Sequence, residues 1–112
     1  MAAPSHVAIA DLERGRLSSL FTGRDHGATI SIFITTVPPG DGPVLHRHPY
    51  EEIFVVEEGE AVFTADDRTI AAGAGEIVVV PAGAAHRFEG AGETSARVLS
   101  VHPSDHVVQE DL

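Results

Sequence analysis

Two histidines two residues apart, and a glutamate four residues after the second, carry the clearest chemical signal in this sequence: His46, His48 and Glu52. In an extended strand, residues i and i+2 project to one face. Both imidazoles and the carboxylate can therefore converge on one point. His86 follows in a later β-type run, just after a Pro-Ala-Gly turn, and an antiparallel barrel can return that run beside the first. Three neutral imidazoles with one carboxylate make an N3O donor set. Such a set suits one divalent Fe, Mn, Ni, Co, Cu or Zn ion rather than Ca or Mg.

Composition excludes several other chemistries. Cysteine is absent, so there is no disulfide frame, thiolate metal site or cysteine nucleophile. Lysine is absent as well, and all seven cationic side chains are arginines, which rules out a lysine Schiff base. The net charge of -10 argues against nucleic acid or an anionic membrane as partner, because phosphate binding needs a basic surface. The acidity is read as a solubility feature. Met1 to Ala10 has neither a basic start nor an apolar run of signal-peptide length. The longest apolar stretches, such as Ile77 to Pro81, are too short to span a membrane. A cytoplasmic setting is expected.

The elements that must position these side chains are short and β-rich. ISIFITTV (Ile30 to Val37) ends at Pro38-Pro39-Gly40, and EIFVV (Glu52 to Val56) ends at Glu58-Gly59. Further runs cover Glu60 to Ala65, Arg68 to Ala71, Glu76 to Val80, His86 to Glu89 and Ala96 to His102. Close-spaced strands bounded by Gly and Pro predict an all-β sandwich or barrel. The best helical candidates are Asp11 to Leu20 and the residues after Ser104. At 112 residues the chain reads as one domain, with its first ten residues loosely held.

Two motifs in order give this pattern a family likeness. Gly40 through Gly59 reads G-x5-H-x-H-x3-E-x6-G, and resembles the first motif of the cupins at each defining position. Gly75 through His86 reads G-x5-P-x-G-x2-H, and is similar to their second motif, which extends to position 90. The family often has Asn at that last position; this chain has Gly90. The resemblance implies a small jelly-roll β-barrel (a double-stranded β-helix) over residues 1–112, with a metal ion in one mouth. It carries the ligand roles onto His46, His48, Glu52 and His86. It also implies a homodimer, as is common for small cupins, and a small-molecule substrate.

Around an octahedral ion, four protein ligands leave two positions open. A redox metal there points to dioxygenase or other oxidoreductase chemistry on a small oxygenated metabolite. A Lewis-acid metal points to an isomerase or lyase. A binding module for a sugar or other metabolite is the alternative that involves no turnover. The candidate catalytic groups are His102, on the strand that borders the cavity in similar cupins, and Tyr50, which shares the parity of the ligand positions. Phe33, Phe54, Phe63 and Phe88 read as core, His6, His26 and His106 as surface, and Arg47 and Arg87 as pointing away from the site.

Overall fold

The computed structural model describes residues 3–112. Its strands are β1 (Glu13–Arg14), β2 (Ser18–Phe21), β3 (Ser31–Val37), β4 (His46–Arg47), β5 (Glu52–Glu58) and β6 (Glu60–Ala65). They continue with β7 (Arg68–Gly73), β8 (Ile77–Val80), β9 (His86–Ala91), β10 (Ala96–His102) and β11 (Glu110–Asp111). Two antiparallel sheets face each other as a jelly roll, in the orders β1-β2-β3-β10-β5-β8 and β11-β4-β9-β6-β7. The β-branched and aromatic runs read from the sequence are the long strands of these sheets. Their alternation sets one face inward: on β10, Ala96, Val98, Ser100 and His102 are buried while the residues between them are half-exposed.

Phe54, Phe63 and Phe88 form the centre of the core, with ring centroids 5.0 to 5.4 Å apart. Val37, Val56, Ala61, Val98 and Val80 close around them. Burying a side chain of this size contributes about 1.5–3 kcal/mol. The Phe54 ring also lies 6.1 Å from that of His86, so the core is the floor of the histidine-rich end.

The expected helix over Asp11 to Leu20 is not formed. A 3-10 turn spans Ile9–Asp11, and β1 and β2 then make a hairpin closed by the Gly15 N–H donating to the Ser18 carbonyl at 2.8 Å. Ser18 and Ser19 are weak helix formers, and β2 gains a full ladder with β3 instead. The segment after Ser104 is likewise not helical, and ends in β11 paired with β4. Of the first ten residues, Met1 and Ala2 lie outside the described residues. Val7 and Ile9 line a groove with Phe21, Ile32, Ile34 and Leu99 on the outer face of the six-stranded sheet.

Gly90 has a local cause. A Cβ built there would lie 2.4 Å from the Pro38 carbonyl oxygen, and the Gly90 N–H donates to the Asp41 carbonyl at 3.0 Å. The loop after β3 crosses too close to β9 for any side chain at this position.

Candidate metal centre

Both sheets contribute to one buried cluster. In register on β4 and β9, His46 and His86 face each other with ring centroids 4.3 Å apart. His48 follows immediately after β4, on the same side as His46. Glu52, first residue of β5, comes from the opposite sheet. One ligand atom from each of His46, His48, Glu52 and His86 lies within 4.8 Å of all the others, and all four residues are buried. The parity of His46 and His48 is present in the fold, but Glu52 reaches the same point from the opposite sheet after a bend at Pro49-Tyr50 rather than along one strand, and His86 joins through the β4–β9 pairing.

The backbone fixes how each imidazole is presented. His46 Nδ1 lies 2.6 Å from the Val44 carbonyl, His48 Nδ1 2.7 Å from the Val108 carbonyl, and His86 Nδ1 2.8 Å from the Ala84 carbonyl. A carbonyl only accepts, so each Nδ1 carries a proton and donates it. Each neutral ring then presents the bare lone pair of Nε2 to the cluster. This is the outer-shell arrangement that orients a histidine ligand toward an ion.

Glu52 gives the test of fit. Its Oε1 lies 3.0 Å from both His48 Nε2 and His86 Nε2. Carboxylate oxygens facing imidazole lone pairs repel unless a cation or an added proton stands between them. His48 Nε2 is buried with no aligned hydrogen-bond partner. A divalent ion among these four residues satisfies every one of those atoms, and the donor set fits it.

Without an ion, an added proton on the imidazoles can take its place and turn the repulsion into attraction. Burial works to raise the Glu52 pKa, but the imidazoles of His102, His48 and His86 outweigh it and hold the carboxyl well below the usual range. Burial pushes His46 down, helped by the neighbouring His86 and His48. For His86 burial also acts downward, but the Glu52 carboxylate and the Ala84 carbonyl reverse the balance and raise it. The proton that His86 attracts occupies the place of a metal ion, so metal and proton compete there.

A fifth ionisable residue joins the cluster. His102 is fully buried, with Nε2 3.1 Å from Glu52 Oε2. The Tyr50 hydroxyl oxygen lies 2.7 Å from His102 Nδ1, and accepts from the Val108 N–H at 3.2 Å. Tyr50 also stacks on the His48 ring at 5.2 Å between centroids. Both residues singled out in the sequence as candidate catalytic groups thus stand beside the ligand cluster, and Pro49 does not turn Tyr50 away. Burial is the main cause that raises the Tyr50 pKa.

A cavity of about 150 Å³ opens beside His46 and His102. Phe33 lines it, edge-on to His102 at 5.2 Å, rather than joining the core as expected. Arg47 points outward to Glu110 at 2.9 Å, and Arg87 is exposed, as their positions beside His46 and His86 predicted. His6 is exposed and His106 pairs with Asp105, but His26 is half-buried against the Phe21 ring at 4.5 Å. The C-terminal segment was not recognisable in the sequence as part of the site. Val108 serves through its backbone alone, and a backbone role leaves no mark on residue type.

Known proteins share this architecture. The cupin domain family profile matches residues 33–102, which contain the cluster and Tyr50. An uncharacterized protein, MJ1618, from Methanocaldococcus jannaschii is 29% identical over 89 residues, 77% of this chain and 71% of that protein. Among solved structures, oxalate decarboxylase from Bacillus subtilis, described for its Mn(II) centers, aligns with a TM-score of 0.82 at 24% identity over 93% of this chain. A formate complex of the Lactobacillus farciminis oxalate decarboxylase aligns with a TM-score of 0.81 at 25% identity over 92% of this chain. This chain spans only 31% and 34% of those two proteins. With both motifs, the jelly roll and the convergent His-His-Glu-His cluster in place, the chain belongs to the cupin domain family.

Proposed function

We propose that this chain is a metal-dependent cupin enzyme acting on a small oxygenated metabolite, with oxidoreductase chemistry of the dioxygenase type. His46, His48, Glu52 and His86 would hold one divalent transition ion. The observation that carries this reading is the shared presentation of the three imidazoles, each donating Nδ1–H to a carbonyl beside a buried cluster whose ligand atoms lie within 4.8 Å of one another. When bound there, such an ion supplies Lewis acidity and, if redox-active, dioxygen chemistry.

The chain's own groups then have distinct tasks. The cavity beside His46 and His102 admits a small molecule to the cluster, and its apolar walls exclude bulk water. His102 exchanges a proton at Nε2, at the boundary between Glu52 and the cavity. The Tyr50 hydroxyl donates to His102 Nδ1 while accepting from Val108 N–H, which holds that ring in the Nε2–H tautomer.

The same reading includes a homodimer. On the outer face of the six-stranded sheet, Ile53, Val79 and Ile77 are 37%, 58% and 64% exposed, and Val55 and Val101 adjoin them in register. This patch is apolar up to the Glu57–Arg97 ion pair at 3.0 Å, which adds no net charge, on a chain of net charge -10. A second copy related by a two-fold axis meets it apolar to apolar, with the repelling charges kept apart. The cysteine-free composition accords with a cytoplasmic setting.

Elemental analysis of protein purified without added metal tests the reading. Near-stoichiometric iron, with oxygen uptake on screening small chelating substrates, is the expected result. Zinc, nickel or manganese, with turnover that consumes no oxygen, would move the assignment to an isomerase or lyase. His48→Ala should remove the metal and leave the barrel folded. Full metal occupancy in that variant would refute the ligand assignment.

A further inference from the structure

We infer that the cavity beside the metal centre accepts a small bidentate oxygen ligand carrying at most one negative charge, and discriminates against dicarboxylate dianions. This rests on the metal-site reading and names the substrate class for it. The argument is one of charge. Three neutral imidazoles and one carboxylate around a divalent ion leave a single positive charge at the centre. A monoanionic chelator neutralises it. A dianion leaves one negative charge over, and that charge needs a cationic side chain nearby.

The cavity provides none: His46 is a ligand, and His102 accepts from the Tyr50 hydroxyl at Nδ1, which leaves its ring neutral. Its polar lining beyond the histidines consists of the Ser18, Thr35 and Ser100 hydroxyls and the Gln109 amide. The remainder is apolar, chiefly Leu17, Phe33 and Phe88. Among the described residues no arginine lines it, and the sequence holds no lysine. Arg16 adjoins Leu17 but is held by both Asp41 oxygens at 2.8 and 3.1 Å. Arg14 reaches the Ser19 hydroxyl instead. Neutral donors and acceptors remain for the substrate. Ser18 Oγ and Thr35 Oγ1 lie 2.7 Å apart, so one donates to the other and the second keeps its proton for a ligand oxygen. At about 150 Å³ the space is well below the roughly 300–1,000 Å³ of pockets for drug-sized ligands.

The contrast with the solved relatives is therefore one of substrate charge. The fold is shared with oxalate decarboxylases, but the residues lining this cavity do not supply a partner for the second charge of oxalate.

Glycolate and oxalate make the test, because both chelate through adjacent oxygens and differ by one charge. The full-length chain loaded with Mn(II) is titrated with each by calorimetry, with free Mn(II) followed by EPR so that extraction is not counted as binding. Mn(II) in buffer, titrated in parallel, gives the intrinsic preference. The expected result is an oxalate-over-glycolate preference at least about tenfold lower in the protein than in buffer, the worth of one missing charge-assisted hydrogen bond. Gln109→Arg, an exposed position at the cavity, should tighten oxalate by about tenfold, and glycolate by less. An oxalate preference equal to that in buffer, unchanged in Gln109→Arg, overturns the charge argument and leaves the metal site standing. Failure to take up Mn(II) at all overturns both.

Discussion

His102 Nε2 lies 3.1 Å from Glu52 Oε2, while the other oxygen of the same carboxylate has His48 Nε2 and His86 Nε2 at 3.0 Å each. One carboxylate thus has one oxygen toward the ligand histidines and one toward a histidine backed by Tyr50. We propose that His102 positions Glu52 as well as lining the cavity. His102→Ala should weaken metal binding by about 10–100-fold, the usual range for losing an outer-shell partner. Tyr50→Phe removes the hydroxyl but keeps the stacking ring, and should cost less. Metal dissociation constants for the two variants, with the pH dependence of each, check the order. Metal affinity unchanged in His102→Ala would remove it from the positioning role.

Acid should destabilise the metal-free protein through Glu52. Its carboxyl is held far below the ordinary value in the fold, whereas the unfolded chain protonates it near its ordinary pKa of about 4.3. Below that pH the unfolded state binds more protons, so stability present above it is lost as pH falls. His46 acts in the same sense at higher pH, because burial lowers its pKa and the unfolded chain protonates it near about 6.5. His86 is raised and opposes this, its stabilisation being lost as pH rises through its folded value. Urea midpoints from pH 7 to 3 should fall with acid, and the fall below about pH 5 should be shallower in Glu52→Gln. Equal slopes in the two proteins would contradict the assignment.

Gly90 makes a prediction about the family pattern. Asn at this position must move the Pro38 carbonyl, which lies 2.4 Å from a built Cβ. Gly90→Asn should destabilise the fold by about 1–3 kcal/mol, the usual cost of forcing extra atoms into a close-packed site. Denaturant unfolding measures it. Gly90→Ala should already show much of the loss, since the clash begins at Cβ.

The long strands and the His46–His48 pair are legible because both depend on alternation. ISIFITTV and EIVVV announce strands by composition, and His46 and His48 announce one face by parity, whereas Glu52 arrives from the other sheet past the bend at Pro49-Tyr50. What was not legible depends on pairing. β1 and β4 are two residues long and carry no pattern of their own; β4 is a strand only because β9 and β11 flank it. Asp11 to Leu20 reads as a helical candidate, but the ladder to β3 decides Ser18–Phe21. Tyr50 follows Pro49 at a bend, where strand parity no longer fixes direction, and its position emerges only from the approach of β10, which brings His102 within 2.7 Å. The Val108 contribution lies in backbone atoms.

The outer face of β5 and β8 supplies the last prediction. Ile53 pairs with Val79 and Val55 with Ile77 across these strands, giving a continuous apolar surface at the sheet edge. The neighbouring part of the same sheet, over Phe21, Ile32 and Ile34, adjoins the chain's own Val7, Ile9 and Leu12. Among the described residues the edge half has no such neighbour, and exposed apolar surface of this kind seeks association. Val79→Asp places a charge at the centre of that half without touching the inward Val78 and Val80. Sedimentation should show a dimer for the native chain and a monomer for Val79→Asp, with metal content unchanged. A surface charge at Glu89→Lys, on the other sheet, should leave the dimer intact. A native chain that sediments as a monomer at high concentration would refute the second-copy reading of this face.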